Sequence, residues 1–152
     1  MYTLPAMDDG RVEGIFVSAR SGEFPQPVER IRAHAGKGLE GNRYFFADGE
    51  APPGQALTLV AAEALEEAEI EISAAETRRN VLTRGIDVNA LVGKRFRIGG
   101  VECYGVELCE PCSGLEAMTQ KGVLRALVHR AGLNADILSD GEIAVGDAIV
   151  SL

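Results

Sequence analysis

Short runs of β-branched and aromatic residues recur along the chain, and glycine-rich turns separate them. The first run covers residues 12–19, where the apolar positions do not follow helical spacing, so it is predicted to form a strand. Further predicted strands cover residues 28–34, 56–60, 94–98, 101–106, 135–138 and 144–152, with a short one directly after Asn80. Gly99 and Gly100 join two of these runs, and adjacent glycines favour a tight hairpin turn.

Helical patterns are few. Residues 61–68 are rich in alanine, leucine and glutamate, which are strong helix formers, and their glutamates are expected to form a solvated face. Residues 123–130 carry apolar side chains at helical spacing, and Gly132 provides a stop. Asp87 is placed to cap one helical turn that ends at Leu91. Many short strands with few helices predict a mainly β fold, a closed or partly open β-barrel decorated by helices.

Residues 36–43 form a glycine-rich stretch that formally contains the dinucleotide-binding pattern G-x-G-x-x-G. That pattern requires a helix at its third glycine, whereas aromatic residues and a turn follow here, so we reject the dinucleotide interpretation. A turn-rich loop remains, in which backbone N–H groups together with Lys37 and Arg43 are placed to hold an anion. Turn glycines without any ligand are the alternative interpretation.

Length and charge limit the classes of function. The 152 residues suit a single domain that spans the chain, 1–152, and buries a core without disulfides. A net charge of −8 argues against a general binder of nucleic-acid backbones. The N-terminus lacks the pattern of a secretory signal, and no apolar run approaches the length of a membrane span. We therefore expect a cytoplasmic protein that binds neither nucleic acid nor membranes.

The chain has three cysteines, and two of them lie in the sequence Cys109-Glu110-Pro111-Cys112. Structural zinc is disfavoured because few further histidine or cysteine ligands remain to complete a site. Thiol–disulfide exchange of the thioredoxin type is a weaker alternative, because only 40 residues follow Cys112. A single reactive thiolate is the favoured interpretation. Cys103 and Cys109 are expected to act as small buried hydrophobic residues.

Cys112 is the predicted reactive thiol. Pro111 restricts φ to the range that suits the first turn of a helix, so Cys112 is predicted to lie at a helix N-terminus. The helix dipole lowers the pKa of a thiol at that position, and a soft thiolate suits molybdenum or a transferable sulfur atom. Arg78 and Arg79 join Arg43 and Lys37, and also Arg84, in a basic set that is suited to phosphate. Asn80 adds a donor and an acceptor, while solvated surface arginines are the alternative.

Five segments, taken in order, resemble the MOSC domain family, which is named after the C-terminal domain of molybdenum-cofactor sulfurase. They are residues 38–44 (Gly-Leu-Glu-Gly-Asn-Arg-Tyr), 78–80 (Arg-Arg-Asn), 85–93 (Gly-Ile-Asp-Val-Asn-Ala-Leu-Val-Gly), 109–112 (Cys-Glu-Pro-Cys) and 146–147 (Gly-Asp). The chain resembles the stand-alone bacterial members. The resemblance implies a β-barrel of the kind also found in pyruvate kinase, and a molybdopterin-type molybdenum cofactor.

The resemblance also implies roles for individual residues. Cys112 matches the functional cysteine of the family, which is proposed either to carry sulfur as a persulfide or to ligate molybdenum. Arg78 and Asn80 match residues beside the cofactor, and Arg79 is a looser match, with Arg43 and Lys37 as supporting charge. Asn42 departs from the family pattern, because the family commonly has an acid there.

Three functions follow from these expectations. The first is a molybdenum-cofactor-binding or sulfur-carrier protein, in which Cys112 is the metal ligand or the persulfide carrier and a cysteine desulfurase, a pyridoxal phosphate-dependent sulfurase or another sulfur or electron donor is the partner. The second is a molybdenum-dependent reductase of N-hydroxylated compounds that takes electrons from a separate protein. The third is a non-catalytic barrel that binds an anion or a partner.

Overall fold

The computed structural model of the chain describes residues 9–20, 22–109, 122, 127 and 129–152. Its strands are β1 (Asp9–Val17), β2 (Gln26–Val28), β3 (Arg30–His34), β4 (Gly38–Leu39), β5 (Leu57–Ala61), β6 (Val81–Arg84), β7 (Arg95–Ile98), β8 (Val101–Leu108), β9 (Leu133–Ile137), β10 (Gly141–Ala144) and β11 (Ala148–Ser151). The helices with described bounds are α1 (Ala62–Glu67) and two 3-10 helices, Ala75–Thr77 and Val88–Leu91, and Leu127 is also helical.

Seven strands close into a barrel. Around the barrel their order is β1, β6, β5, β9, β8, β7 and β11, and β11 pairs again with β1. β5 and β6 run parallel, whereas the other neighbours in the ring are antiparallel. β2 extends the sheet beyond β1, and a separate sheet has the order β10, β3, β4. The mainly β fold and the closed barrel predicted from the sequence are therefore confirmed.

The barrel encloses one main core. β7 illustrates how the sequence produces this core. Phe96 and Ile98 are fully buried, while the alternating residues Arg95 and Arg97 are exposed. This alternation follows from the two-residue period of a strand. Burying a large apolar side chain of this kind contributes about 1.5–3 kcal/mol. The core also contains Cys103, as predicted for a thiol within a strand.

Most predicted elements lie close to the observed ones. The hairpin at residues 99–100 is confirmed, and Gly99 has a φ of 57°. Asp87 caps the 3-10 helix Val88–Leu91 as predicted, because its carboxylate accepts a hydrogen bond from the Asn89 N–H at 3.1 Å. Residues 28–34 are predicted as one strand; residues 30–34 form β3 in the separate sheet, whereas Val28 is the last residue of β2, which pairs with β1.

Most of the helix predicted over 123–130 lies outside the described residues. Among the helices that are described, none is both long and apolar enough to span a membrane.

Gly105 allows the 3-10 helix Val88–Leu91 to pack on the barrel. A Cβ atom at this position would overlap the carbonyl oxygen of Leu91. The absence of a side chain also lets Gly105 exchange backbone hydrogen bonds with Gly93 and Lys94, at 2.8 and 3.0 Å. The loop after the 3-10 helix is therefore held directly against β8.

Candidate functional site

Residues 78–80 form a short turn between the 3-10 helix Ala75–Thr77 and β6. Arg78 adopts a left-handed conformation with a φ of 62°, and its N–H returns to the carbonyl of Ala75 at 3.1 Å. A left-handed backbone is uncommon for a residue with a side chain. The turn sends three consecutive side chains to three different parts of the protein.

The side chain of Arg78 lies beside Arg43. Arg78 donates from Nη2 to the carbonyl oxygen of Glu23 at 2.5 Å, and the Ser18 hydroxyl donates to the same oxygen at 2.9 Å. The backbone N–H of Arg43 donates to the Ser18 carbonyl at 2.7 Å, and its guanidinium lies 4.5 Å above the ring of Tyr44. Partial burial, and then the positive charge of Arg43, lower the pKa of the Arg78 guanidinium. The two arginines therefore share one hydrogen-bond network through Ser18 and Glu23, and both add positive charge to this part of the protein.

Asn42 positions the loop that carries Arg43. It is 8% exposed, and its side-chain oxygen accepts a hydrogen bond from the Ser18 N–H at 3.1 Å. This bond ties the loop to the end of β1. An aspartate could accept the same hydrogen bond but would add a negative charge next to Arg43. The asparagine therefore supplies the structural bond without reducing the positive charge of the site.

Arg79 points to a different part of the chain. Its Nε donates to the Ala131 carbonyl at 2.8 Å, and its Nη1 donates to the Thr77 carbonyl at 3.2 Å. The next residue after Ala131, Gly132, accepts a hydrogen bond from the backbone N–H of Cys109 at 2.8 Å. Arg79 thus fastens the segment to which the first cysteine of the Cys-Glu-Pro-Cys sequence is anchored.

Asn80 is a buried clamp between two strands. Its Oδ1 accepts from the backbone N–H and from the hydroxyl of Thr58, at 3.2 and 3.1 Å. Its Nδ2 donates to the carbonyl of Phe16 at 3.2 Å. Because the residue is 8% exposed, these bonds replace contacts with water. The predicted contact of Asn80 with a cofactor remains a prediction, and the bonds indicate a structural role.

Lys37 and Arg84 make contacts outside the Arg43–Arg78 pair. The Lys37 ammonium donates to the carbonyls of Gly49 and Ala47, at 2.8 and 3.4 Å, and so closes the loop that follows β4. Its predicted role in holding an anion is not tested by these contacts. Arg84 lies at the far end of β6, where Glu66 and Glu13 raise the pKa of its guanidinium through hydrogen bonds. Its inclusion in one basic set with residues 78 and 79 is wrong.

Two of the three cysteines lie among the described residues, and their environments differ. Cys103 is buried in the barrel core, and this burial raises the pKa of its thiol to about 12, so it remains protonated near neutral pH. Cys109 follows the end of β8 and is half-buried. Cys112, the predicted reactive thiol and metal ligand, lies outside the described residues.

Several residues of the site give no signal in the sequence. Ser18 and Glu23 contact the arginines largely through backbone atoms, and such contacts do not depend on residue type. Gly132 is predicted from the sequence only as a helix stop. It has a φ of 123°, and a Cβ atom there would overlap the carbonyl oxygen of Leu59, so a glycine is required for close packing against β5.

The donor set of the site suits an oxygen-rich anion. Arg43 and Arg78 come from distant segments, and a guanidinium presents parallel N–H donors that match two oxygens of a phosphate group. The carbonyl of Glu23 orients one of the two guanidinium groups and leaves its remaining donors for a ligand. A phosphorylated cofactor therefore fits the residues present.

Comparisons with known proteins agree with this fold. A family model described as the MOSC domain matches residues 34–150. The structure is similar to the crystal structure of the YuaD protein from Bacillus subtilis, with a TM-score of 0.79 and 17% sequence identity over 93% of this chain and 94% of that one.

Two further solved structures are similar. YiiM from Geobacillus stearothermophilus has a TM-score of 0.69 and 15% identity, over 94% of this chain and 75% of that one. YiiM from Escherichia coli has a TM-score of 0.64 and 18% identity, over 93% and 69%. At these identities the similarity establishes the fold. No curated protein matches the chain.

Proposed function

Because the chain belongs to the MOSC domain family, which is associated with molybdenum-cofactor binding, we propose that it binds this cofactor through the paired guanidinium groups of Arg43 and Arg78. The cofactor carries a phosphate group, and the pair would hold it. The side chains of Arg79 and Asn80 would contribute indirectly, because their hydrogen bonds to backbone carbonyls keep the neighbouring segments in place.

The observation that carries this proposal is the hydrogen-bond network that joins the two arginines. Arg78 donates to the Glu23 carbonyl, the Ser18 hydroxyl donates to the same oxygen, and the Arg43 N–H donates to the Ser18 carbonyl. A dianion at this network would be attracted by both guanidinium groups. Asn42 supports this arrangement because it fixes the loop without a competing carboxylate.

Cys112 is the proposed second contact. When bound, the cofactor supplies a metal centre that accepts soft thiolate ligands. Arg79 contacts Ala131 next to the anchor of Cys109, so residues 78–80 connect the arginine pair with the strand end that leads into the cysteine sequence. Cys112 follows Cys109 by three residues, so the Cα atoms of these two cysteines are at most about 11 Å apart.

The proposal leaves Cys112 two chemical roles. As a metal ligand, its thiolate would donate directly to molybdenum. As a sulfur carrier, its thiolate would attack the outer sulfur of a persulfide on a cysteine desulfurase, and the donor cysteine would leave as a thiolate. The first role requires stable cofactor, and the second requires a donor protein.

Anaerobic purification from a host that makes molybdopterin tests cofactor binding, with molybdenum and pterin measured per chain. Arg43→Ala and Arg78→Ala are expected to lower both contents severalfold, because each removes a charge-assisted contact with phosphate. Arg30→Ala is the matched control, since Arg30 is exposed on β3 and pairs with Glu142. Equal contents in all three variants and the parent protein would contradict the proposal.

The role of Cys112 requires separate measurements. If Cys112 is the metal ligand, Cys112→Ser should lower molybdenum, and Cys109→Ser should not. If it is a carrier, mass spectrometry after incubation with a cysteine desulfurase and cysteine should show one added sulfur atom on Cys112. Loss of molybdenum in the Cys109 variant alone would assign the thiol role to the other cysteine.

A further inference from the structure

Tyr44 is an aromatic residue that the fold leaves at the surface, next to an arginine of the proposed phosphate site. It is 47% exposed, although burial of a large aromatic side chain usually stabilises a protein. The guanidinium carbon of Arg43 lies over the face of the Tyr44 ring, 4.5 Å from its centre. At this distance the negative face of the ring attracts the cation. The ring of Tyr44 therefore contacts the guanidinium group that we propose binds phosphate.

The backbone around Tyr44 is fixed by contacts that do not involve its ring. Gly38 has a φ of 118°, and a Cβ atom there would lie 2.6 Å from the carbonyl oxygen of Tyr44. The glycine thus permits a close approach of the two segments. The N–H of Arg43 donates at 2.7 Å to the residue that follows β1, and the N–H of Phe46 donates to the Lys37 carbonyl at 2.9 Å. Because these bonds use backbone atoms, the ring can be exchanged while the loop stays in place.

An arginine that binds a phosphate group benefits from being oriented beforehand. Its long side chain loses much rotamer freedom on binding, and a contact that already restricts this freedom lowers the loss. The Glu23 carbonyl provides such a contact for Arg78. An aromatic face can do the same for Arg43 without adding a negative charge, whereas a carboxylate would offset the charge that attracts the phosphate.

We propose that Tyr44 is a positioning residue, whose ring holds the Arg43 guanidinium in the orientation that binds a phosphate group. This inference rests on the proposed function, because it takes Arg43 as a phosphate ligand. It assigns the effect to the face of the ring and gives the hydroxyl group no part. Phenylalanine should therefore replace Tyr44, tryptophan should act more strongly, and leucine should fail.

The test is an NMR titration of the full chain, labelled with ¹⁵N, with inorganic phosphate at constant ionic strength. The backbone N–H of Arg43 is the reporter, because it belongs to the network that joins the two arginines. Relative to the parent protein, Tyr44→Leu should bind phosphate about two- to fivefold more weakly, and Tyr44→Phe should bind equally well. Tyr44→Trp should bind more tightly. Since the chain has no tryptophan, the fluorescence of this variant gives a second measure of the same affinity.

Tyr104→Leu is the matched control, because Tyr104 is 37% exposed on β8 and its substitution should leave phosphate affinity unchanged. Melting temperatures should stay close to that of the parent in all Tyr44 variants, which separates positioning from a general loss of structure. If Tyr44→Leu nevertheless folds poorly, the comparison of Tyr44→Trp and Tyr44→Phe with the parent decides.

The outcomes separate this inference from the proposed function. If Arg43→Ala weakens phosphate binding but Tyr44→Leu binds as tightly as the parent, Tyr44 has no positioning role and the phosphate site stands. Equal losses for Tyr44→Phe and Tyr44→Leu would also overturn the inference, because they would assign the effect to the hydroxyl group. If phosphate gives no saturable shift in the parent, or if Arg43→Ala binds it equally well, the phosphate site itself fails, and the inference fails with it.

Discussion

Replacing Asn80 with alanine distinguishes a structural clamp from a ligand contact. The substitution removes three side-chain hydrogen bonds, two to Thr58 and one to the carbonyl of Phe16, while the backbone bonds of residue 80 remain. Each of these hydrogen bonds contributes roughly 0.5–1.5 kcal/mol, and the partners left behind, Thr58 and Phe16, are half-buried. We therefore expect Asn80→Ala to lower the free energy of unfolding by about 3 kcal/mol.

Urea denaturation followed by circular dichroism measures this loss, and the melting temperature should fall by about 6–12 °C. Asn89→Ala is the matched control, because Asn89 is exposed and its side chain makes one hydrogen bond as a donor, to the His129 carbonyl at 2.8 Å. Its expected cost is below about 1 kcal/mol. A double-mutant cycle with Thr58→Val should give a coupling energy of about 1 kcal/mol between residues 58 and 80.

Two results would refute the clamp. A loss of stability below about 1 kcal/mol for Asn80→Ala would mean that the three bonds contribute little. Loss of cofactor content at unchanged stability would show instead that the Asn80 side chain serves the ligand. The cofactor contact implied by the family resemblance would then be correct.

Three further predictions concern Gly132, Cys103 and Asn42. Gly132→Ala should lower the free energy of unfolding by about 2–4 kcal/mol in urea denaturation, because residue 132 has a positive φ and a Cβ atom there would overlap Leu59. Gly93→Ala is the control, since Gly93 has a φ of 75° and open space around it, so this variant should lose only the stability that the positive φ costs. Equal losses in the two variants would contradict the packing argument. Burial raises the pKa of the Cys103 thiol to about 12, whereas the unfolded thiol has a pKa of about 9. Stability relative to Cys103→Ala should therefore be unchanged below about pH 8 and fall by about 2 kcal/mol by about pH 10.5. A pH-independent difference would contradict this pKa. Asn42→Asp should preserve the melting temperature, because an aspartate still accepts the hydrogen bond from the Ser18 N–H. The added negative charge should lower the cofactor content. Unchanged content would show that the charge at residue 42 does not affect binding.

The residue types of the candidate site could be predicted from the sequence better than its geometry. Arg43 and Arg78 stand out as basic residues in an acidic chain, and one hydrogen-bond network joins them. Arg79 and Asn80 are adjacent to Arg78 in sequence, yet their side chains bond to Ala131 and to β1 and β5. A turn with a left-handed residue reorients consecutive side chains, and no local pattern in the sequence indicates such a turn at an arginine.

The sequence by itself determined the strand-rich barrel, the hairpin at residues 99–100 and the interior position of Cys103, because period-two alternation and glycine turns are local properties of the chain. Only the tertiary structure decided that Arg43 and Arg78 share one hydrogen-bond network and that Asn80 clamps two strands. Those facts depend on which distant backbone groups are brought within hydrogen-bonding distance. Barrel closure sets these distances, because it joins segments that are far apart in the sequence.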